Sequence, residues 1–266
     1  MAITSALQRH WPEYLIELGG IGILVVVICC TAVAFEHPSS PLQEAIGAEW
    51  RRPIKAAIIS TTIIGLVYSP WGKQSGAHFN PAITLTFLRL GKVAPLDAVF
   101  YMLAHFSGAV LGAVIASIIL FPLTGSFIAR YALTAPGGHV GSVAAFLAEV
   151  IIGFIAMSVI LKASNTPRVA RFTGVFAATL IAAFIIVEAP LSGMSMNPAR
   201  SFGPAAIALV WTNLWIYLTA PLIGMLLAGE LHRWRRKSTI CAKLHHHNDK
   251  RCIFRHCGYK TDAAVE

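Results

Sequence analysis

The 266-residue chain is 56% hydrophobic and only 12% charged, with a mean hydropathy of +0.67. A soluble domain carries roughly 25% charged residues, so composition points to an integral membrane protein. The net charge of +9 gathers mostly beyond residue 232; beside a last crossing, that meets anionic lipid headgroups rather than nucleic acid.

Taken in order, the chain opens with residues 1–12, expected as a short cytoplasmic N-terminus. Six apolar runs follow: Tyr14–Phe35, Ile54–Tyr68, Leu96–Leu120, Val143–Leu161, Phe172–Val187 and Leu214–Leu231. Each reads as a membrane crossing, the shorter ones needing flanking residues or a tilted, packed setting. Glycines recur in them, as at Gly19, Gly20, Gly22, Gly108 and Gly112. In a bilayer such small residues let helices approach closely, so a tight all-helical bundle is expected.

Two further stretches break the pattern. Ser75-Gly-Ala-His-Phe-Asn-Pro-Ala-Ile-Thr84 is echoed by Ser192-Gly-Met-Ser-Met-Asn-Pro-Ala-Arg-Ser201. Asn is a preferred N-cap and Pro fits the first helical position, so each Asn-Pro reads as a helix start. The helices predicted from Pro81 to Leu90, and from Pro198 to about Val210, cannot cross roughly 30 Å at 1.5 Å per residue. They read as re-entrant half-helices, each presenting an amide donor at its positive end. Three crossings separate them, so they enter from opposite sides, as in inverted-repeat transporters. Repeat 1 is expected at about 13–121 and repeat 2 at about 142–232.

Glu17 and Glu149 open the first and fourth runs at matching positions. They are expected to accept hydrogen bonds from the re-entrant loops, with a proton relay as the sharper alternative. With six crossings and both termini inside, 16 of the 21 Lys and Arg fall on the inner side. The positive-inside rule then places both termini in the cytoplasm of a plasma or inner membrane.

The paired motifs resemble the signature loops of the major intrinsic proteins, the aquaporins, over about Tyr14 to Leu231. The resemblance implies six transmembrane helices with two half-helices, a pore in each subunit, and a homotetramer. It places Asn80 and Asn197 at the pore centre. It makes the carbonyls of Gly76, Ala77 and His78, and of Gly193, Met194 and Ser195, the acceptor ladder. Arg200 resembles the family's constriction arginine. The other filter positions fall on Ile185, on Met194, and on Ile59 or Ser60.

Ile185 stands where strict water channels usually hold His, which makes the filter more apolar. Ser201 stands where the glycerol branch usually has Asp. The implied activity is passive water conduction that excludes protons and ions, not enzymatic turnover. A broader facilitator of glycerol, urea, ammonia or hydrogen peroxide is the alternative, and a coupled secondary transporter the distant rival. His78 reads equally as pore-lining or packing, and His105 as a buried hydrogen-bonding group. Glu188 lies outside the family pattern; it is expected to hold the second re-entrant loop, or to sit in the outer vestibule near Arg200.

Beyond Leu231 come a basic cluster and Cys241, His245, His246, His247, Cys252, His256 and Cys257. Cys and His suit zinc, but their spacing fits no strong pattern. Residues 233–266 are therefore expected as a disordered cytoplasmic tail without metal or cofactor.

Overall fold

The computed structural model describes residues 3–124, 132–246 and 249–259. Arg130 and His247 lie outside the described residues. In chain order the helices are α1 (Ile3–Glu36), α2 (Pro41–Ala45), α3 (Ala48–Tyr68), α4 (Pro70–Ser75), α5 (Pro81–Arg89) and α6 (Pro95–Thr124). Then follow α7 (Ser142–Ser164), α8 (Thr173–Val187), α9 (Ala189–Ser192), α10 (Pro198–Ala208) and α11 (Leu214–Trp234). No strand occurs among the described residues.

The six long helices coincide with the six apolar runs. Five of them are long and apolar enough to cross a bilayer. The sixth, α3, spans 21 residues but carries Glu49, Arg51, Arg52 and Lys55 in its first turns. Helix α1 begins eleven residues before the expected crossing and absorbs most of the segment expected as a separate N-terminus.

An inverted repeat organises the packing. Helix α1 lies along α6 and α7 along α11, while α3 meets α8 across the repeat boundary. Each half-helix reaches over that boundary too, α5 packing on α11 and α10 on α6. Small residues permit the close approach. A Cβ on Gly108 would stand 2.2 Å from the Leu18 carbonyl oxygen, and one on Gly112 2.4 Å from that of Gly22. Repeat 2 does the same with Gly224, whose Cβ would lie 2.2 Å from the Val150 carbonyl oxygen. Backbone cannot yield as a side-chain tip can. Gly108→Val is therefore expected to separate α1 from α6, costing at least the ~1–3 kcal/mol of an overpacked core. A lower melting temperature and a smaller monodisperse fraction in detergent would check this.

The re-entrant loops share one backbone design. Gly76 and Gly193 end α4 and α9 in the left-handed region, at φ +97° and +85°. Ala77, Phe79, Met194 and Met196 follow, also at positive φ, between 46° and 56°. These positive-φ residues curl each loop tightly after its short helix, which brings consecutive loop N–H groups together on one side. Such strain persists only where the surroundings over-determine it.

Candidate functional site

Both carboxylates at matching positions supply that support. Glu17 Oε1 accepts from the His78 N–H (3.1 Å) and Oε2 from the Phe79 N–H (2.6 Å). Glu149 accepts from Ser195 N–H on Oε1 (2.6 Å) and from Met196 N–H on Oε2 (2.8 Å). The Ser192 hydroxyl adds a third bond to Glu149 Oε1 at 2.7 Å. Both carboxylates are fully buried, and His105 Nε2 lies 2.8 Å from Glu17 Oε2. A relay reading is weakened because these oxygens are already committed to holding the loops.

The two asparagines meet at the centre. Asn80 Oδ1 caps α5 by accepting from Ala82 N–H (2.9 Å). Asn197 Oδ1 caps α10 by accepting from Ala199 (3.1 Å) and Arg200 (3.3 Å). Their amide groups cross over: Asn80 Nδ2 donates to the Met196 carbonyl and Asn197 Nδ2 to the Phe79 carbonyl, both at 2.8 Å. The sequence reading left both side-chain NH₂ groups free, and each is instead partly engaged. One N–H of each locks the opposite loop and the other remains.

A cavity of about 360 Å³ runs past this centre. Asn80, Asn197 and Arg200 line it, as do Ile185, Met194 and Ile59. Ser60 does not, so of the alternative pair Ile59 and Ser60 only Ile59 lines the cavity, while the buried Ser60 hydroxyl has no hydrogen-bond partner among the described residues. Arg200 Nη1 donates to Thr134 Oγ1. Thr134 Oγ1 lies 2.7 Å from Ser201 Oγ, which lies 2.6 Å from Ser195 Oγ. Thr134 escaped the sequence reading because it sits in a connector with no periodicity to align. Ser201 thus braces the arginine's hydrogen-bond partner.

Glu188 departs from expectation. Its main-chain carbonyl accepts from Leu191 N–H (2.7 Å), while its two buried carboxylate oxygens have no hydrogen-bond partner among the described residues. The side chain thus lacks the close loop N–H bonds that Glu17 and Glu149 accept, and it does not line the cavity.

The other mouth is where the sequence reading was most incomplete. Ala77, His78, Gly193, Met194 and Ser195 line the cavity, but Gly76 does not. The Gly76 carbonyl accepts from the Leu244 N–H (3.1 Å), and Leu244 itself lines the cavity. His78 Nε2 faces the Ala242 carbonyl at 2.9 Å, and its Nδ1 lies 2.9 Å from Thr84 Oγ1. A carbonyl only accepts, so Nε2 carries the proton and Nδ1 accepts from the threonine. The His78 ring is sandwiched between Phe87 and Phe254, each 5.3 Å away. His78 is therefore both a lining residue and an anchor for the tail.

The expected disordered tail is instead folded across this end in its described residues, 233–246 and 249–259. Arg251 pairs with the buried Glu13 in α1, and Lys243 Nζ donates to the Lys73 carbonyl at 2.8 Å. Arg255 N–H reaches the Lys92 carbonyl (2.7 Å), and Ile240 N–H the Asn165 side chain. Nor does the tail lack a metal-type cluster: Cys241, His246, Cys252 and Cys257 hold their donor atoms within 4.8 Å of one another. Hydrogen bonding from the Cys241 thiol draws Cys252 and Cys257 below the usual thiol range, while the same pairing pushes Cys241 up.

The family-model match covers the bundle and ends before this tail. Residues 5–232 match the family model described as major intrinsic protein. A probable NIP-type aquaporin of Nicotiana alata is 37% identical over 66% of this chain and 63% of its own length. Human aquaporin-4 is 33% identical over 85% of this chain and 68% of its own. Bovine aquaporin-4 is 33% identical, and the match spans 59% of its length. The chain thus spans about three-fifths of the length of several relatives it matches. Among solved structures, the aquaglyceroporin of Plasmodium falciparum aligns with a TM-score of 0.70 at 18% identity. That alignment covers 84% of this chain and 96% of the aquaglyceroporin.

Proposed function

Because the chain belongs to the major intrinsic protein family, whose members conduct water or small solutes across membranes, we propose that it is a passive water channel. The observation that carries this is the pair of crossed asparagines on the wall of a continuous cavity. Each retains an amide hydrogen for a passing oxygen, at the positive ends of two half-helices. A water held there is turned away from its neighbours, and the helix ends oppose cations and protons.

Arg200 forms the constriction with Ile185, Ile59 and Met194. An intramembrane arginine is costly unless it meets water or acceptors, and the cavity and Thr134 supply both. The apolar side of this filter favours the second reading, passage of a small neutral solute such as glycerol as well. The protein is a membrane-embedded homotetramer with both termini cytoplasmic; the distribution of basic residues supports that orientation.

Stopped-flow light scattering on proteoliposomes tests the reading. Wild-type protein is expected to pass water and exclude glycerol. Arg200→Ala is expected to raise glycerol permeability several-fold while water flux persists. Glycerol passing the wild type as readily as water would replace the water-only reading by the broader one. No flux above empty vesicles in any cation condition would overturn the channel reading.

A further inference from the structure

We propose that Cys241, His246, Cys252 and Cys257 bind one thiophilic divalent cation of the zinc class, which locks the tail as a plug under the pore mouth. The second half of this rests on the channel reading above; the first does not.

Geometry carries the metal site. Cys241 Sγ and Cys252 Sγ lie 3.5 Å apart, and Cys257 Sγ lies 3.4 Å from His246 Nε2. A tetrahedral zinc with Zn–S of ~2.3 Å and Zn–N of ~2.0–2.1 Å has sulfur–sulfur edges of about 3.8 Å and sulfur–nitrogen edges of about 3.6 Å. The four donors therefore already outline the coordination shell. The sulfur separation is far beyond the ~2.05 Å of a disulfide. Structural zinc sites use this Cys₃His set, and all four protein positions being filled marks a structural site.

Two features beside the cluster call for the same ion. Lys243 lies two residues from Cys241 and is only 2% exposed, and among the described residues its ammonium donates to the carbonyls of Lys73 and Arg251. A buried cation needs a compensating negative charge. Three thiolates and a neutral imidazole around a divalent ion leave one net negative charge beside it. The fold of the segment is the second feature. The described residues 241–246 and 249–257 contain no helix or strand, yet Cys241, Ala242, Leu244 and Phe254 are buried. A segment with so little regular structure gains its order from cross-links, and metal binding then becomes folding free energy.

Position carries the plug. The residue after the ligand Cys241 is Ala242, whose carbonyl holds His78, and Leu244 occupies the Gly76 carbonyl from inside the cavity. Phe254, two residues after the ligand Cys252, stacks on the other side of His78. The ion thus clamps together the two strips of tail that close on the mouth. Releasing it frees the Gly76 carbonyl and the His78 imidazole to face permeating water.

The full-length protein, purified with chelator and reduced, is titrated with Co(II). Tetrahedral d–d bands and a thiolate charge-transfer band saturating at one ion per chain, and bleached by Zn(II), are expected. The double variant Cys252→Ser/Cys257→Ser is expected to lose them. Absent bands, or bands unchanged in that variant, overturn the site. For the plug, zinc is expected to slow tryptic cleavage at Lys243 to Arg255 and to lower water permeability about tenfold relative to chelator. Equal cleavage and equal flux with and without zinc overturn it. A chain that binds cobalt but conducts water in neither condition defeats the pore assignment and leaves the metal site standing.

Discussion

Glu149→Ala is expected to remove most of the folded protein, although residue 149 does not itself line the cavity. The substitution strips the acceptor from Ser195 N–H, Met196 N–H and the Ser192 hydroxyl, all buried. Leaving a buried donor unsatisfied costs about 1–3 kcal/mol, so three approach roughly 3–9 kcal/mol. That rivals the whole stability of a typical domain, about 5–15 kcal/mol. The loss falls on a loop already strained at Met194 and Met196, both at positive φ.

Glu149→Gln separates charge from geometry. Its amide oxygen can still serve Ser195 and Ser192, but its NH₂ would confront the Met196 N–H donor-to-donor. An intermediate outcome is expected: folded protein in reduced yield with a lower melting temperature. Glu17→Ala should behave alike in repeat 1, and it also orphans His105 Nε2. Fluorescence-detected size exclusion and thermal unfolding of all three would check this. Wild-type stability in Glu149→Ala would mean that the loops hold themselves, and that the buried carboxylates serve proton transfer instead.

Much of this was legible in the chain because the bilayer leaves few options. A helix must satisfy its own backbone in hydrocarbon, so six apolar runs became six long helices. The Asn-Pro pairs fixed where α5 and α10 start, since cap chemistry is local. The Glu17 and Glu149 roles followed from the same rule, because buried irregular backbone needs acceptors.

What stayed hidden was non-local. Whether Ile59 or Ser60 faces the cavity depends on helix rotation, which one residue of uncertainty in the loop alignment erases. Thr134 meets Arg200 across 66 positions of sequence, from a connector without pattern. Glu188 looked like a third loop support because it carries the same side chain, but that side chain lacks the close loop N–H bonds that Glu17 and Glu149 accept. The tail misled for a physical reason. Basic, polar composition predicts disorder when burial must supply the ordering energy. Here Glu13, His78 and Lys92 on the bundle provide partners that composition does not count.

Asn197→Asp is the substitution expected to change conduction most while sparing the fold. The carboxylate keeps an oxygen to accept from Ala199 and Arg200, so α10 retains its cap, and a negative charge at a helix N-terminus is favourable. What disappears is donation to the Phe79 carbonyl, now met at 2.8 Å in the parent. Two oxygens would face each other there, pushing the re-entrant loops apart at their tips. The remaining amide hydrogen offered to permeating water also goes, and a negative charge replaces part of the positive barrier. Water permeability is therefore expected to fall on the order of tenfold. Cation leakage above the parent's level is expected to appear. Asn197→Ala provides the contrast: it removes cap and donor together, adding ~1 kcal/mol of helix destabilisation without the charge. Stopped-flow water flux and planar-bilayer conductance would measure both variants. A leak in the aspartate variant alone would assign cation exclusion to charge at the pore centre. Equal leaks in both would assign it to the loops' closure, and no leak in either would leave exclusion to Arg200.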